Sequence, residues 1–345
     1  MKALLRHWYP CLGTLLFLTL LSCAAPHKEA GISVAQPAPA SSRVFKEFAA
    51  VIVQPHDTLT SLAIKYLHDP SKGWFIAEFN HVGDVEPGQA IIIPFNPLHR
   101  GGVTLMGYQR VPVLCYHKFS LDKEDAMTVT RKAFETQLKF LHDHGYHVIT
   151  LDQLHDFMDF KAQIPEKSVV ITIDDGWRST YDIAYPLLKR YGYPATLFVY
   201  TNLITGNSTT LSWGQIREMY ANGIDMQCHT KTHRSLAWKE GQESFKHYFE
   251  AIQTELIESA KILKRELNKD VKYLAYPYGD TNHLVVEVAR KLGYRAAFTV
   301  KRGVNPFFVD PYRIDRSMIY GSFSLKAFQK NLVVFTDFKK GIALR

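Results

Sequence analysis

Two pairs of polar residues in this 345-residue chain have the types and spacing that metal-dependent chemistry needs. Asp174 and Asp175 directly follow one apolar run, and His229 and His233 follow another. Histidines four positions apart can converge on one ion, because a helical turn or tight loop returns both side chains to one side. Two imidazoles and one carboxylate would leave positions open for water and substrate, which suits hydrolysis. The second carboxylate is then free to act as a base.

Each pair also has a simpler structural interpretation. A single Asp could cap a helix from Ser179 to Arg190, and exposed loop histidines are common in a chain with 15 of them. The metal site is favoured because both pairs stand at the ends of predicted strands, where a barrel brings distant segments together. Two adjacent carboxylates against an apolar strand also repel each other unless a cation or a shared proton is near. Zinc is the default ion for these ligands, and nickel, cobalt and iron are alternatives.

The elements that must position these residues follow a repeated pattern. Helical segments end at a glycine that an apolar strand follows at once, which is typical of α/β folds with mostly parallel strands. The four junctions are Gly145-Tyr146, Gly192-Tyr193, Asn222-Gly223 and Gly293-Tyr294. Seven strands are predicted, at 111–116, 147–150, 168–173, 195–199, 224–228, 271–276 and 295–300. We therefore predict an α/β domain over 111–345, a parallel (β/α)7-like distorted barrel with its chemistry at the strand ends.

The motifs at these strand ends resemble those of the polysaccharide deacetylases of carbohydrate esterase family 4, the NodB-type domains. The segment Ile173-Asp174-Asp175-Gly176 is similar to the family's first motif, which implies that Asp174 is the catalytic base and Asp175 a metal ligand. The segment from His229 to His233 is similar to the family's H-[ST]-x-x-H motif, which implies that both histidines are metal ligands. The likeness extends from about Val111 to Arg316.

A third motif matches only in part. The segment Tyr276-Pro277-Tyr278-Gly279 resembles the end of the family's R-x-P-Y motif, which implies that the backbone N–H of Tyr278 helps to hold the oxyanion. The arginine that opens this motif, the usual partner of the catalytic base, is replaced by Ala275. Three arginines are candidates to take its place: Arg178, Arg313 and Arg316.

The general acid also departs from the usual family pattern. No histidine follows His283, so the family's C-terminal L-x-H motif has no counterpart. A permuted subgroup that acts on exported poly-N-acetylglucosamine carries the equivalent histidine on the first barrel strand, and Val113-Leu114-Cys115-Tyr116-His117 resembles that arrangement. The resemblance implies that His117 is the general acid, and the alternative is a buried, hydrogen-bonded strand histidine.

Three aromatic residues close to these motifs are predicted to contact sugar rings: Tyr276, Trp177 and Trp213. Packing in a core is the alternative for each, because aromatic side chains are more often part of a core. Cys115 and Cys228 lie in apolar, strand-like runs, where buried free thiols are expected rather than a disulfide.

Residues 48–97 predict a small βααβ unit. A strand at Val51 to Val53 is followed by a helix that Asp57 or Thr58 caps, a second short helix, and a turn at Glu86 to Gln89 before the last strand. The segments VQPHDTLTSLAIKYL and VEPGQAIIIP resemble a LysM module. That resemblance implies binding of N-acetylglucosamine-containing glycans such as peptidoglycan or chitin, and a spacer is the alternative. Residues 98–110 are a predicted linker.

The N-terminus predicts export. Lys2 and Arg6 precede an apolar stretch from Leu12 to Leu21, which has the length of a signal-peptide core rather than of a membrane-spanning helix. The sequence Leu20-Leu21-Ser22-Cys23 resembles a bacterial lipobox, which implies removal of residues 1–22 and lipidation of Cys23, with ordinary cleavage as the alternative. Residues 23–47 are a predicted flexible tether. We expect an exported, membrane-anchored lipoprotein of the cell envelope, either periplasm-facing or in the outer membrane.

The composition excludes other classes of protein. A hydrophobic share of 46% is enough for a substantial core, which argues against intrinsic disorder. Lys and Arg number 41 against 33 Asp and Glu, a net charge of +8, and they form no basic block, so nucleic acid is not expected as a partner. A polytopic membrane protein is excluded because only the N-terminal stretch is apolar enough to enter a bilayer. We expect a monomer.

These observations predict a metal-dependent hydrolase that removes N-acetyl groups from an N-acetylglucosamine-containing glycan, peptidoglycan or poly-N-acetylglucosamine, and releases acetate. A glycosidase would use Asp174 and another carboxylate but would leave both motif histidines unexplained. A mononuclear iron oxygenase shares the ligand set, although it more often places its ligands on β-sandwich strands. A glycan-binding lipoprotein with an inactive deacetylase-like domain is suggested by Ala275, whereas the retained cluster of polar residues argues against it.

Overall fold

The computed structural model describes residues 41–96 and 100–338. The predicted signal peptide, Cys23 and most of the predicted tether lie outside these residues. Within them, no helix combines the length and the apolar character that crossing a bilayer requires.

An N-terminal module packs around a small core of its own. Its elements are β1 (Ser42–Val44), β2 (Phe48–Ile52), α1 (Leu59–Leu67), α2 (Gly73–Asn80) and β3 (Ala90–Pro94). The strands pair antiparallel in the order β1, β2, β3, and the two helices connect β2 to β3. The predicted strand, helix, helix, strand order is confirmed, and β1 is an addition that falls within the predicted tether.

Local sequence explains where these elements begin. The Thr58 side chain accepts a hydrogen bond from the Ser61 N–H at 3.0 Å, and the Thr58 N–H donates to the Ser61 hydroxyl at 2.8 Å. This reciprocal capping box begins α1. Before β3, the Gln89 N–H donates to the Glu86 carbonyl at 3.0 Å, and Gly88 has the positive φ of 86° that a type II turn requires.

The remaining described chain alternates strands with helices. The strands are β4 (Val103–Thr104), β5 (Gly107–Gln109), β6 (Val113–Tyr116), β7 (Lys118–Ser120), β8 (Thr128–Thr130), β9 (His147–Val148), β10 (Ser168–Asp175), β11 (Ala195–Val199), β12 (Ile224–Cys228), β13 (Tyr273–Ala275), β14 (Ala296–Phe298), β15 (Ser317–Met318) and β16 (Phe335–Asp337). The helices are α3 (Arg131–Asp143), α4 (Leu151–Met158), α5 (Tyr185–Tyr191), α6 (Trp213–Ala221), α7 (Phe245–Leu267), α8 (His283–Lys291) and α9 (Leu325–Gln329).

Eight of these strands form one parallel sheet. Its order is β14, β13, β12, β11, β10, β6, β15, and β9 pairs with the start of β10. A bridge between Phe298 and Ile314 also connects β14 to the segment that leads into β15, so this segment lies against both edges of the sheet. All seven predicted strands are present, and β15 was not predicted. The surrounding helices complete the predicted distorted (β/α)7-type barrel.

The central strand β10 is buried on both faces. Ile171 and Ile173 pack between the sheet and the helices, against Phe134 of α3 and Leu188 of α5. Val170 points the other way, into a second core cluster that is formed largely by other barrel strands and by α4. The end of β10 is therefore held rigidly from both sides.

The predicted linker contains secondary structure that its sequence did not suggest. β4 and β5 form an antiparallel hairpin, and β16 from the end of the described chain pairs with β5. The linker prediction is therefore wrong for 103–109, where backbone pairing with a distant segment orders the chain.

Candidate active site

Asp175, His229 and His233 converge at the ends of β10 and β12. Oδ1 of Asp175 lies 3.7 Å from His229 Nε2 and 3.5 Å from His233 Nε2. The three donor atoms all lie within 4.8 Å of one another. His229 is buried, whereas the other two residues are partly exposed. The arrangement has the donor set of a three-ligand metal site with an open side toward solvent.

Contacts outside this triad orient the donors. The Nδ1 atom of His229 lies 2.8 Å from the Ala275 carbonyl, so Nδ1 carries the hydrogen and Nε2 faces Asp175. The indole N–H of Trp177 donates to Oδ2 of Asp175 at 2.7 Å, which leaves Oδ1 for the two histidines. Burial and the neighbouring His229 lower the pKa of His233 to about 4, so its imidazole is neutral and can donate a lone pair. These features fit a divalent cation.

The backbone at the triad is strained. Asp175, Thr230, His233 and Tyr278 have φ values of 79°, 71°, 68° and 60°, in the left-handed region that non-glycine residues rarely adopt. Such a conformation costs on the order of 1–3 kcal/mol for each residue and persists only where surrounding contacts hold it. The clustering of four such residues marks this rim as a functional site.

Glu255 of α7 holds the loop that carries both histidines. Its Oε2 accepts hydrogen bonds from the N–H groups of Lys231 and Thr232 at 2.9 and 2.8 Å, and its Oε1 accepts one from the Thr232 hydroxyl at 2.8 Å. The His233 N–H donates to the Thr230 hydroxyl at 3.0 Å. Because Glu255 is buried, these bonds are shielded from water and fix the loop. Sequence reasoning did not find this residue.

Asp174 lies between an arginine and the triad, and its Oδ2 is 3.9 Å from Nε2 of His229. Both oxygens of Asp174 accept hydrogen bonds from the guanidinium of Arg316, each at 2.7 Å. Arg316 is fully buried and also donates to the Thr299 carbonyl and the Thr172 hydroxyl. Burial would raise the pKa of Asp174, but the charge of Arg316, helped by His229, outweighs it and holds that pKa well below its usual range.

Arg316 therefore occupies the role that Ala275 leaves open. The two other candidates pair elsewhere: Arg313 with Asp310 at 3.0 Å, and Arg178 with Asp182 at 3.2 Å. The sequence predicted that one of three arginines would hold the aspartate, and the structure selects the one that precedes β15.

A second cluster lies behind Asp174. Side-chain atoms of Cys115, His117 and Asp174 all lie within 4.8 Å of one another, and Cys115 Sγ is 3.5 Å from Asp174 Oδ2. This group does not suit a metal ion, because Arg316 already binds both carboxylate oxygens and would repel a cation. Burial lowers the pKa of His117, although Asp174 and Asp175 oppose the shift.

Cys115 and Cys228 are free and buried, which confirms the prediction for both thiols.

The three aromatic residues that were predicted to contact sugar rings lie in different surroundings. Tyr276 is fully buried and its hydroxyl donates to the Tyr312 carbonyl at 3.1 Å, so its prediction as a sugar contact is wrong. Tyr276 directly follows a barrel strand, and its side chain points into the core. Trp213 begins α6 and packs against the core between sheet and helices. Trp177 orients Asp175, and the ammonium of Lys118 lies 4.0 Å from its ring centroid.

Two tyrosines do reach the triad. Tyr278 is 64% exposed, and the centroid of its ring lies 4.8 Å from that of the His233 imidazole. The ring of Tyr200, which the sequence did not single out, lies 5.0 Å from the same imidazole. The signal that could have identified Tyr200 is its place directly after β11, at the same rim as the two motifs.

Sequence comparisons identify relatives of this chain. A family model described as polysaccharide deacetylase matches residues 161–297. A Bacillus subtilis protein named putative polysaccharide deacetylase YxkH is 31% identical over 219 residues, which cover 64% of this chain and 75% of that protein. The poly-β-1,6-N-acetyl-D-glucosamine N-deacetylase of Staphylococcus epidermidis is 33% identical over 201 residues, which cover 56% of this chain and 68% of that protein.

Solved structures have the same fold. The deacetylase PplD from Streptococcus pyogenes, in complex with acetate, matches with a TM-score of 0.59 and 26% identity over 65% of this chain and 98% of that one. IcaB from Ammonifex degensii matches with a TM-score of 0.57 and 25% identity over 66% and 97%. The family-model match contains Asp174 and the triad, whereas His117 and Arg316 lie outside it on either side.

Proposed function

Because this chain belongs to the polysaccharide deacetylase family, we propose that it removes N-acetyl groups from an N-acetylglucosamine-containing glycan in a metal-dependent reaction. The convergence of Asp175, His229 and His233 beside a fully paired Asp174 carries this proposal. A divalent cation held by the triad would polarise the acetyl carbonyl and lower the pKa of a water molecule. Zinc is the default ion, with nickel, cobalt and iron as alternatives.

Asp174 takes the proton of the attacking water in the proposed reaction. Arg316 keeps this carboxylate charged and fixes its direction, because the guanidinium binds both of its oxygens. The same pairing makes Asp174 a weak base, so a proton accepted there passes readily to a stronger one. His117, in the same cluster, is an imidazole whose lowered pKa leaves it neutral and able to receive that proton.

The remaining steps use His117 and Tyr278. Water adds to the acetyl carbon, and the backbone N–H of Tyr278 donates to the oxygen that becomes negative. The C–N bond then breaks as His117 gives its proton to the departing amine. The products are acetate and a glucosamine unit, so one water is consumed for each acetyl group. The rings of the exposed Tyr278 and the partly buried Tyr200 both lie beside His233 of the triad.

Poly-β-1,6-N-acetylglucosamine is the favoured substrate. The position of His117 directly after the first barrel strand supports it, and so does the similarity to the staphylococcal poly-β-1,6-N-acetyl-D-glucosamine N-deacetylase. Peptidoglycan is the second candidate, because the N-terminal module resembles a LysM module in sequence and has a βααβ order.

Acetate release from these two glycans and from chitooligosaccharide, with and without chelator, tests the proposed function. We expect release that chelation abolishes and that added zinc restores. Asp175→Ala is expected to lose bound metal and to lower the rate at least about 100-fold, since the interaction lost is needed in the transition state. Asp270→Ala, at a side chain that is 84% exposed, is the matched control.

Three outcomes of this assay would contradict the proposal. Full metal content and turnover in Asp175→Ala would remove the assigned site. Release of new reducing ends without acetate would favour a glycosidase. Glycan binding without acetate release from any substrate would favour the inactive binding protein.

We also propose that the chain is exported and anchored through a lipid on Cys23, on the strength of the charged and apolar pattern at residues 1–23. Cys23→Ser is then expected to move the protein from the membrane fraction to the soluble fraction of cells. Retention of the variant in the membrane fraction would contradict the anchor.

A further inference from the structure

A lysine is held in a fixed place at the rim of the candidate active site. Lys118 directly follows His117, past the carboxyl end of β6, and so lies at the same edge of the parallel sheet as the triad. Its ammonium lies 4.0 Å from the centroid of the Trp177 ring, and both residues are partly exposed. A cation–π contact of this kind restrains a side chain that would otherwise be mobile.

The charge of Lys118 is not balanced by an acidic partner. Within the described chain, no ion pair includes its ammonium. The arginines of the same region are paired, Arg316 with Asp174 and Arg178 with Asp182. An aromatic ring holds the ammonium without neutralising it, so Lys118 contributes an uncompensated positive charge to this rim.

The Trp177 ring joins this charge to the triad. Its indole N–H donates to Oδ2 of Asp175 at 2.7 Å, and the Lys118 ammonium lies over the same ring. The two contacts together place the ammonium within about 9 Å of the Asp175 carboxylate, which is close to the distance of about 8 Å over which physiological salt screens a charge. The field of Lys118 therefore reaches a sugar unit that binds at the triad.

The proposed reaction changes the charge of the sugar on which this field acts. An N-acetylglucosamine unit is neutral, whereas the amine left after the loss of acetate is protonated near neutral pH. A fixed positive charge does not act on the net charge of the first form and repels the second. At the effective permittivity of a protein surface, two unit charges about 9 Å apart change an affinity about three- to tenfold.

We propose that Lys118 makes the active site select stretches of glycan that are still fully acetylated. Its ammonium repels a unit that has lost its acetyl group, whether that unit is the product at the triad or its neighbour in the polymer. The inference rests on the proposed function, because that reaction creates the repelled cation. The product then leaves readily, and deacetylated units become spaced along the polymer.

Two β-1,6-linked N-acetylglucosamine trimers test this inference. One is fully acetylated, and the other has a free amine on its middle unit, so every binding mode that places a unit at the triad puts the cation at that unit or beside it. Calorimetric titration of the zinc-loaded mature chain at neutral pH measures both affinities, with His117→Gln present to slow turnover. We expect the acetylated trimer to bind more tightly, and we expect this ratio of affinities to fall about three- to tenfold in Lys118→Met.

Matched variants separate the charge of Lys118 from its packing. Lys118→Arg keeps a cation over the ring and should keep the ratio. Lys291→Met removes an exposed lysine at the end of α8 and should also leave the ratio unchanged. Added salt should lower the ratio in the chain that retains Lys118, because salt screens the repulsion.

Several results would overturn the role of Lys118. If this residue only supports Trp177, Lys118→Met weakens the binding of both trimers by the same factor and leaves the ratio as it was. Equal affinities for the two trimers before any change at Lys118 contradict the selection itself, and so does a ratio that salt does not alter.

Acetate release by the unaltered chain tests the proposed function separately. Release of acetate by a chain that binds both trimers equally contradicts only the role of Lys118. A preference that depends on Lys118 in a chain that releases no acetate contradicts only the deacetylase assignment.

Discussion

Arg316 reaches Asp174 from a position 142 residues further along the chain. It is the largest of the fully buried side chains, and it satisfies its charge with a carboxylate, a carbonyl and a hydroxyl. Burying an arginine is costly because its charge loses contact with water. Charge-assisted hydrogen bonds to buried acceptors offset that cost. The geometry of this pair, rather than its charge alone, sets the direction of the carboxylate.

Arg316→Lys keeps the positive charge but removes the bidentate hydrogen bonding to Asp174. We expect kcat to fall by about 10- to 100-fold, and the free energy of unfolding to fall by about 1–3 kcal/mol, the usual cost of a lost charge-assisted hydrogen bond. Steady-state kinetics and chemical denaturation measure the two effects. Arg313→Lys, at a surface pair with Asp310, is the control and should change little.

Glu255→Gln tests the support of the histidine loop. A glutamine keeps the size of the side chain, but it replaces one accepting oxygen with a donor that faces the donors of Lys231 or Thr232. We expect the affinity for metal to fall by about 10- to 100-fold, as is common when a residue that orients ligands is lost. Competition with a coloured chelator measures it. Glu258→Gln, at a partly exposed position of the same helix, is the matched control, and equal affinities in the two variants would contradict the role of Glu255.

The sequence predicted the residues that converge at the candidate site but not the residues that support them. Asp174, Asp175, His229 and His233 stand in short motifs next to strands, where local pattern is informative. Only the tertiary structure distinguishes Arg316 from the two other candidate arginines. A signal for Glu255 did exist: it adjoins Leu256 and lies three positions after Ile252 on the largely apolar stripe of α7. A carboxylate on such a stripe needs buried partners.

At the scale of elements, glycine is what made the strands predictable. Gly145, Gly192, Gly223 and Gly293 all have φ between 65° and 92°, a conformation that ends a helix without strain only when no Cβ is present. Short strands escaped prediction for a different reason. β15 has two residues, and its position depends on pairing with β6, which no local pattern records.

Thr58→Ala tests the start of α1. The variant loses the side-chain acceptor of the capping box, so we expect the module to lose about 1 kcal/mol of stability. Hydrogen exchange at the buried Leu62 and Ala63 amides reports this loss as faster exchange. Thr60→Ala, at an exposed position within the helix, should slow exchange slightly or leave it unchanged, since alanine favours the helix. Faster exchange in Thr60→Ala than in Thr58→Ala would contradict the cap.

At the scale of the whole molecule, we expect the contact between module and barrel to depend on pH. Oε1 of Glu78 accepts a hydrogen bond from the Glu166 N–H at 2.9 Å, and its Oε2 is buried without a partner in the described chain. Burial raises the pKa of Glu78 to about 7. Protonated Glu78 therefore suits the contact, and its stabilising effect is complete below the ordinary pKa and declines as the pH rises through about 7.

Glu78→Gln should remove this pH dependence. We expect the variant to melt above the unaltered chain by roughly 1–2 °C at pH 8, after allowance for the partial exposure of Glu78, and to show a smaller difference at pH 5. Thermal unfolding at the two pH values measures it. Glu86→Gln, at an exposed position of the same module, is the control. A difference in melting temperature that is larger at pH 5 than at pH 8 would contradict the proposed effect of the buried Glu78 carboxyl.

The two ends of the barrel domain meet at one aspartate. His117 follows the first strand of the parallel sheet, and Arg316 directly precedes the last. A chain is made from its N-terminus, and its parts fold as they emerge. The triad can thus gather while the guanidinium that aims Asp174 has yet to be synthesised. A chain cut short before Arg316 would thus leave Asp174 buried without the guanidinium that pairs with both of its oxygens, and a buried carboxylate without its partner is costly.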